Sequence, residues 1–143
     1  MRDYVRSQIE KSHKCLAAML ADDALLVRVE AAAEACILAL KNSGRVFLAG
    51  NGGSAADAQH IAGEFVGRFA FDRPSLPAIA LTTDTSILTA IGNDYAYDMI
   101  FVRQLQAHAR EGDIFICYST SGQSPSIISA LREAKKIGAV CIG

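Results

Sequence analysis

Several things are scarce in this sequence, and each scarcity removes a class of function. Charge of one sign is missing: 14 basic and 15 acidic side chains leave a formal net charge of −1, so no broad basic field for nucleic acid exists. Long apolar runs are missing as well. Charge or glycine interrupts each one, so no segment is expected to cross a membrane. The opening "MRDYVRSQIEKSHK" holds no apolar stretch of signal-peptide length, which predicts a cytoplasmic protein. Cys15, Cys36, Cys117 and Cys141 form no CxxC and share no metal-like spacing, so they read as buried free thiols of a reducing compartment. Repeats, low-complexity tracts and linkers are also lacking. A chain of 143 residues suits one domain, read here as 1–143 with a helical part over 1–43 and an α/β part over 44–143.

What is there begins with helices. Tyr4, Val5, Ile9, Leu16, Met19 and Leu20 recur at helical intervals over 3–20. A second helix is predicted from an N-cap at Asp22 or Asp23 to a stop before Gly44, rich in alanine for close packing. These two helices either cover a sheet or build a subunit interface. The pattern then changes to short, nearly continuous apolar runs: "RVFLAG" (45–50), "PAIALT" (77–82), "DIFICYS" (113–119) and "AVCIG" (139–143). Such runs suit parallel strands covered on both faces. Helical patterns lie between them at about 54–69, 84–91 with a second piece near 97–110, and 125–137. The fold class expected is α/β: a doubly wound, open parallel sheet in three αβα layers, preceded by two helices. The last strand has no helix after it to cover its apolar surface, so the sheet reads as incomplete at its carboxyl end.

In such sheets ligands bind at the carboxyl ends of the strands, and two junctions there are unusual. The first is "GNGGS", Gly50 to Ser54. Gly52 and Gly53 permit positive φ and close backbone approach, Ser54 can cap a helix starting at Ala55, and Asp57 resembles the acidic half of a capping box. A turn with a cap and a ligand-binding loop are both open readings. Without GxGxxG spacing, or an acidic residue ending the second strand, a dinucleotide site is not indicated. The second is "STSGQSPS", Ser119 to Ser126. Ser119, Thr120, Ser121 and Ser124 precede Pro125, which suits the first helical position. Hydroxyls and free N–H groups at a helix start form a phosphate cradle, and more hydroxyls are present than capping requires. A Walker lysine is absent, so triphosphate hydrolysis is not indicated.

His60 and Glu64 stand four apart and face one side of the helix leaving the first loop. The pair is either a surface contact or a place where zinc ligands, or a general base, project beside a glycine-rich loop. Two ligands do not complete a catalytic zinc site. Asn93 and Asp94 fall in a predicted loop, as an Asx-turn or as a contact to sugar hydroxyls. Arg68 is placed to pair with Glu64 or to reach a phosphate, and His13 and His108 read as surface residues.

Together, "GNGGSAADAQHIAGEFVGRF", "RPSLPAIALTTDTSILTAIGND" and "STSGQSPSIISAL" resemble the sugar isomerase (SIS) domain family, and more narrowly its phosphoheptose isomerases. The resemblance implies aldose–ketose isomerisation of sedoheptulose 7-phosphate to D-glycero-D-manno-heptose 7-phosphate, feeding lipopolysaccharide. It also implies a homotetramer with sites between subunits. Matched by position, Asn51, Gly52, Gly53 and Ser54 meet the substrate, with Asn93 and Asp94 on the sugar and Ser119, Thr120, Ser121 and Ser124 on the phosphate. His60 and Glu64 become zinc ligands and Glu64 the catalytic base, with a Gln and a His expected beyond Gly143 to complete the metal site and supply the acid. The chemistry agrees, since moving a proton between C1 and C2 needs a base and an electrophile. A relative of another kind, a non-catalytic SIS module bound to the replication initiator, keeps the glycine loop but lacks the glutamate. Another sugar phosphate as substrate is the third possibility.

Overall fold

The computed structural model describes residues 1–143 and divides into two compact units, Met1–Glu34 and Ala35–Gly143. The first unit holds α1 (Arg2–Leu20) and the start of α2 (Asp23–Lys41). The α2 helix begins where Asp22 Oδ1 accepts the N–H of Leu25 at 2.9 Å, a side-chain cap for an otherwise orphaned donor. No residue of α1 is buried, and Cys15 on it is exposed, contrary to the expectation of four buried thiols. A helical period alone does not say what a helix covers.

The second unit is a parallel sheet of β1 (Val46–Gly50), β2 (Ala78–Ala80), β3 (Ile114–Tyr118) and β4 (Val140–Ile142), in the order β2-β1-β3-β4. Between the strands run α3 (Gly53–Val66), α4 (Thr85–Asp94), a 3-10 turn at Tyr97–Met99, α5 (Val102–His108) and α6 (Pro125–Ile137). Successive residues of β1 point to opposite faces. Val46 and Leu48 pack with Ala58 and Ala62 of α3 and with Ala39 near the end of α2; Phe47 and Ala49 pack with Leu105 of α5 and Ala130 and Ala134 of α6. Both faces are covered, which is why the strand reads as one apolar run rather than an alternation. Small residues on α3 and α6 let the helices lie close to the sheet. Strand and helix periods therefore agree with the predicted α/β architecture, while the compact division falls at 34/35, because Ala35, Cys36 and Leu40 already pack beside the sheet.

Local signals set several boundaries. Pro125 occupies the first turn of α6, and Gly138 closes it in the left-handed region at φ 91°, its N–H reaching the carbonyls of Ala134 and Lys135. Asp84 Oδ1 caps α4 by accepting from Ile87 N–H at 2.9 Å. Gln104, buried on α5, donates from Nε2 to the carbonyls of Leu81 and Ile100 at 2.9 and 2.8 Å, tying that helix to the end of β2.

Asp113, 3% exposed, holds the amino end of the two central strands. Its Oδ1 accepts the N–H of Arg45 at 2.8 Å and its Oδ2 that of Arg110 at 2.9 Å, joining the starts of β1 and β3. Asp113→Ala leaves both donors unpaired and is expected to cost about 3 kcal/mol, with Asp113→Asn costing roughly half, since it keeps one acceptor. Urea unfolding measures both; equal stability of the alanine variant would refute the assignment.

Candidate active site

The strand order reverses between β1 and β3. The chain leaves β1 toward β2 on one side, crosses back to β3 on the other, and continues outward to β4. The carboxyl ends of β1 and β3, paired through Gly50 and Tyr118, therefore mark the switch point where open α/β sheets bind ligands. Both unusual loops lie there. A Cβ on Gly50 would stand 2.7 Å from Ser54 Cβ and closer still to the Ser54 carbonyl, so the turn after β1 admits only glycine at that position. Gly52 follows at φ 57° and is the N-cap of α3. The helix thus starts at Gly53, earlier than predicted, and neither Ser54 nor Asp57 caps it. The backbone closes the turn itself, with the N–H groups of Ser54 and Ala55 bonded to the carbonyls of Asn51 and Gly52. Ser54 is left to line the site.

The two loops enclose a cavity of ≈ 120 Å³ lined by Asn51, Ser54, Tyr118, Ser119, Thr120, Ser121 and Ser124. Lysine and arginine do not contribute to its wall. Ser119 Oγ accepts the N–H of Gly122 and Ser121 Oγ that of Gln123, each at 3.1 Å. Each of these hydroxyls spends a lone pair on the backbone and keeps its proton to donate. The amino ends of α3 and α6 add the positive ends of two helix dipoles. Burial, helped by the Asp57 carboxylate and then by Cys117 and Cys36, raises the Tyr118 phenol above its ordinary value, so it too stays a donor. The cavity offers donors and partial positive charge without a formal cation, which suits an oxyanion ligand.

Asn51 joins the two loops. Its Nδ2 donates to Ser124 Oγ at 2.8 Å and Ser126 Oγ at 2.9 Å, and its Oδ1 accepts from Tyr97 hydroxyl at 3.0 Å. Three of its bonds are thus spent inside the protein. Ser126 and Tyr97 were missed in the sequence, although the serine two places after Ser124 in "SPS" was a visible hint.

The remaining predicted residues lie elsewhere. His60 and Glu64 do pair, Nε2 to Oε1 at 3.8 Å, with the imidazole largely in solvent. They line a separate cavity of ≈ 380 Å³ with Phe65, Phe69, Phe71 and Arg73. Glu64 lies roughly 16 Å along α3 from Gly53 at 1.5 Å per residue. Arg68 is not its partner: α3 ends at Val66, so the helical spacing from Glu64 to Arg68 is broken. Arg73 approaches instead, donating to the backbone carbonyls of Glu64 and Phe65 at 2.6 and 2.9 Å. Asn93 and Asp94 are in the last turn of α4 rather than a loop, exposed and bonded to each other at 2.9 Å, and neither lines the cavity. The apolar residues of 85–91 continue the helical period through them.

The SIS domain model matches residues 9–143, and the chain belongs to that family. Among its relatives is the phosphoheptose isomerase of Burkholderia pseudomallei (strain K96243), 63% identical over 140 residues that cover 98% of this chain and 71% of the relative. Solved structures agree. A phosphoheptose isomerase from Francisella tularensis superposes with a TM-score of 0.91 at 37% identity, covering 97% of this chain and 72% of that one. The enzyme from Neisseria gonorrhoeae gives 0.83 at 40% identity, covering 96% and 72%.

Gly50→Ala forces the turn away from Ser54. It is expected to destabilise the fold by about 2 kcal/mol and to weaken binding of inorganic phosphate at least severalfold, measured by urea unfolding and calorimetric titration. Unchanged phosphate binding would show that this turn does not shape the cavity.

Proposed function

We propose that the chain is an aldose–ketose isomerase that converts sedoheptulose 7-phosphate to D-glycero-D-manno-heptose 7-phosphate in the cytoplasm, supplying heptose for lipopolysaccharide. The observation that carries this reading is the donor-lined cavity at the switch point, free of nucleotide-binding features, in a chain of the SIS family. The relatives named phosphoheptose isomerase narrow the sugar phosphate to a heptose.

In this reading the Ser119–Ser124 loop holds the phosphate, and its binding energy positions carbons remote from it. The Glu64 carboxylate removes a proton from C1 of the ketose. The C–H electron pair becomes a C1–C2 double bond, and the carbonyl pair moves to O2 as an oxyanion. Transfer of the O1 proton to O2, with return of the proton from Glu64 to C2, gives the aldose. His60, beside Glu64, orients the carboxylate through their shared contact. Because Glu64 is far along α3 from the cradle, and Asn93 and Asp94 are apart from both, the complete site is proposed to assemble between copies in a homotetramer. Asn93 and Asp94 then meet the sugar hydroxyls.

Zinc is part of the proposal only through donor chemistry. Imidazole and carboxylate suit the ion, and bound there it would supply positive charge to a developing oxyanion. Two donors are too few, however, and no group of three His, Cys, Asp or Glu side chains in this chain is placed to hold a metal. The proton transfer above is therefore derived without it.

Isomerisation is followed by NMR as sedoheptulose 7-phosphate is converted to the aldose, with five- and six-carbon ketose phosphates compared. Glu64→Gln is expected to lower kcat by about 10³-fold, in the range of a lost general base, while KM changes little. Aldose formation at the unaltered rate by Glu64→Gln would remove the base assignment, and preferred turnover of a shorter ketose would replace the substrate.

A further inference from the structure

Glu64 sits where a helix is least well held. The α3 helix ends at Val66, so Glu64 is in its last turn, between Gly63 and the terminating Gly67. The usual closures are missing there. Gly67 lies at φ −78° and ψ −119°, outside the left-handed region, and no basic residue occupies the last turn. Such an end leaves carbonyls without intrahelical partners, and it frays unless something outside the helix supplies donors. Resting on the reading of Glu64 as the base, we infer that Arg73 is a positioning residue. From the loop after α3 it clamps the turn that carries Glu64 and so holds the carboxylate in place for proton transfer.

The last four carbonyls of α3 belong to Gly63, Glu64, Phe65 and Val66. The N–H of Gly67 takes that of Gly63 at 2.8 Å. Arg73 Nη2 donates to the Glu64 carbonyl at 2.6 Å and Nη1 to that of Phe65 at 2.9 Å, where the N–H of Leu76 joins at 3.1 Å. Ser75 Oγ donates to the Val66 carbonyl at 2.6 Å. Residues 73–76 thus close the helix, and within them Arg73 alone reaches the carbonyl of Glu64. A planar guanidinium on two successive carbonyls fixes orientation as well as distance, whereas an ammonium is a point charge without the fork. The fork is itself braced. Pro74 restricts the backbone of Arg73 to extended conformations, and Nη1 also donates to the Pro74 carbonyl at 3.0 Å. Its formal charge faces the negative end of the α3 dipole.

The guanidinium and Glu64 line the same cavity of ≈ 380 Å³, yet the ion pair of Glu64 is with His60, and the arginine is spent on the backbone. The two neighbours therefore divide the work. His60 orients the carboxylate from the preceding turn, and Arg73 fixes the backbone from which the carboxylate projects. A base must stand within hydrogen-bond reach of the proton it takes, and a displacement of about 1 Å costs up to ~100-fold in rate.

Two measurements on the full chain test the assignment. Amide hydrogen exchange followed by NMR reads the clamp without turnover. Arg73→Ala is expected to speed exchange of the Val66 and Gly67 amides about tenfold, with the β1 amides unchanged. Kinetics with sedoheptulose 7-phosphate read its purpose. Arg73→Ala is expected to lower kcat roughly tenfold to a hundredfold while KM stays nearly constant. In a Glu64→Gln background the same substitution is expected to change the residual rate by less than about twofold, because no base is left to position. Arg73→Lys, which keeps the charge without the fork and threatens folding less, recovers part of kcat. Ser75→Ala uncaps Val66 alone and is expected to leave kcat within about twofold. Unchanged exchange in Arg73→Ala overturns the clamp. Equal loss of rate in both backgrounds shows a role in folding only and overturns the positioning. Unaltered turnover by Glu64→Gln itself refutes the base reading, a separate result.

Discussion

The pairing of β1 with β3 is the contact on which the rest depends. Five residues of each strand match in register, from Val46 beside Ile114 to Gly50 beside Tyr118, and almost all of them are buried. Apolar coverage of both faces fixes this register, because a slip by one residue would turn Phe47 toward α3 and Leu48 toward α6. Asp113 closes one end of the pair with its two carboxylate bonds, and at the other end the chain diverges. That divergence opens the cavity. The core thus positions the site without any functional residue in the core itself.

Across the opening, Asn51 is the crosspiece. It gathers the loop after β1, the 3-10 turn and the start of α6 around a single amide. The amide can serve three partners because it carries donors and an acceptor in one plane, which neither aspartate nor leucine of similar size would do. The glycine loop therefore does two things. Gly50 and Gly52 bend the backbone closely enough to aim α3 at the cavity, and Asn51, between them, reaches the other loop.

Much of this architecture was legible in the sequence, for physical reasons that differ by element. Strands β1 and β3 announced themselves because double-sided burial leaves no polar residue in them, and α6 because Pro125 marks its start. The serine-rich loop stood out because its hydroxyls exceed any capping need. The start of α3 was misjudged because a backbone-closed turn replaces the side-chain cap that Ser54 suggested. Asn93 and Asp94 were given to a loop because both residue types favour turns, while the apolar spacing before them carries the helix on. Ser126 and Tyr97 were invisible for a different reason. Their bonds to Asn51 span 75 and 46 positions, and no local pattern encodes a partner at that distance.

The uncharged wall of the cavity has a consequence for energetics along the proposed reaction. Ketose and aldose carry the same phosphate, so a cradle of hydroxyls and helix ends holds both with equal strength. Equal grip lowers the free energy of substrate, intermediate and product alike. It anchors the molecule while favouring neither direction. The internal equilibrium is then governed where the two isomers differ, at the first two carbons, and the phosphate end acts as a fixed pivot about which the reacting end is presented.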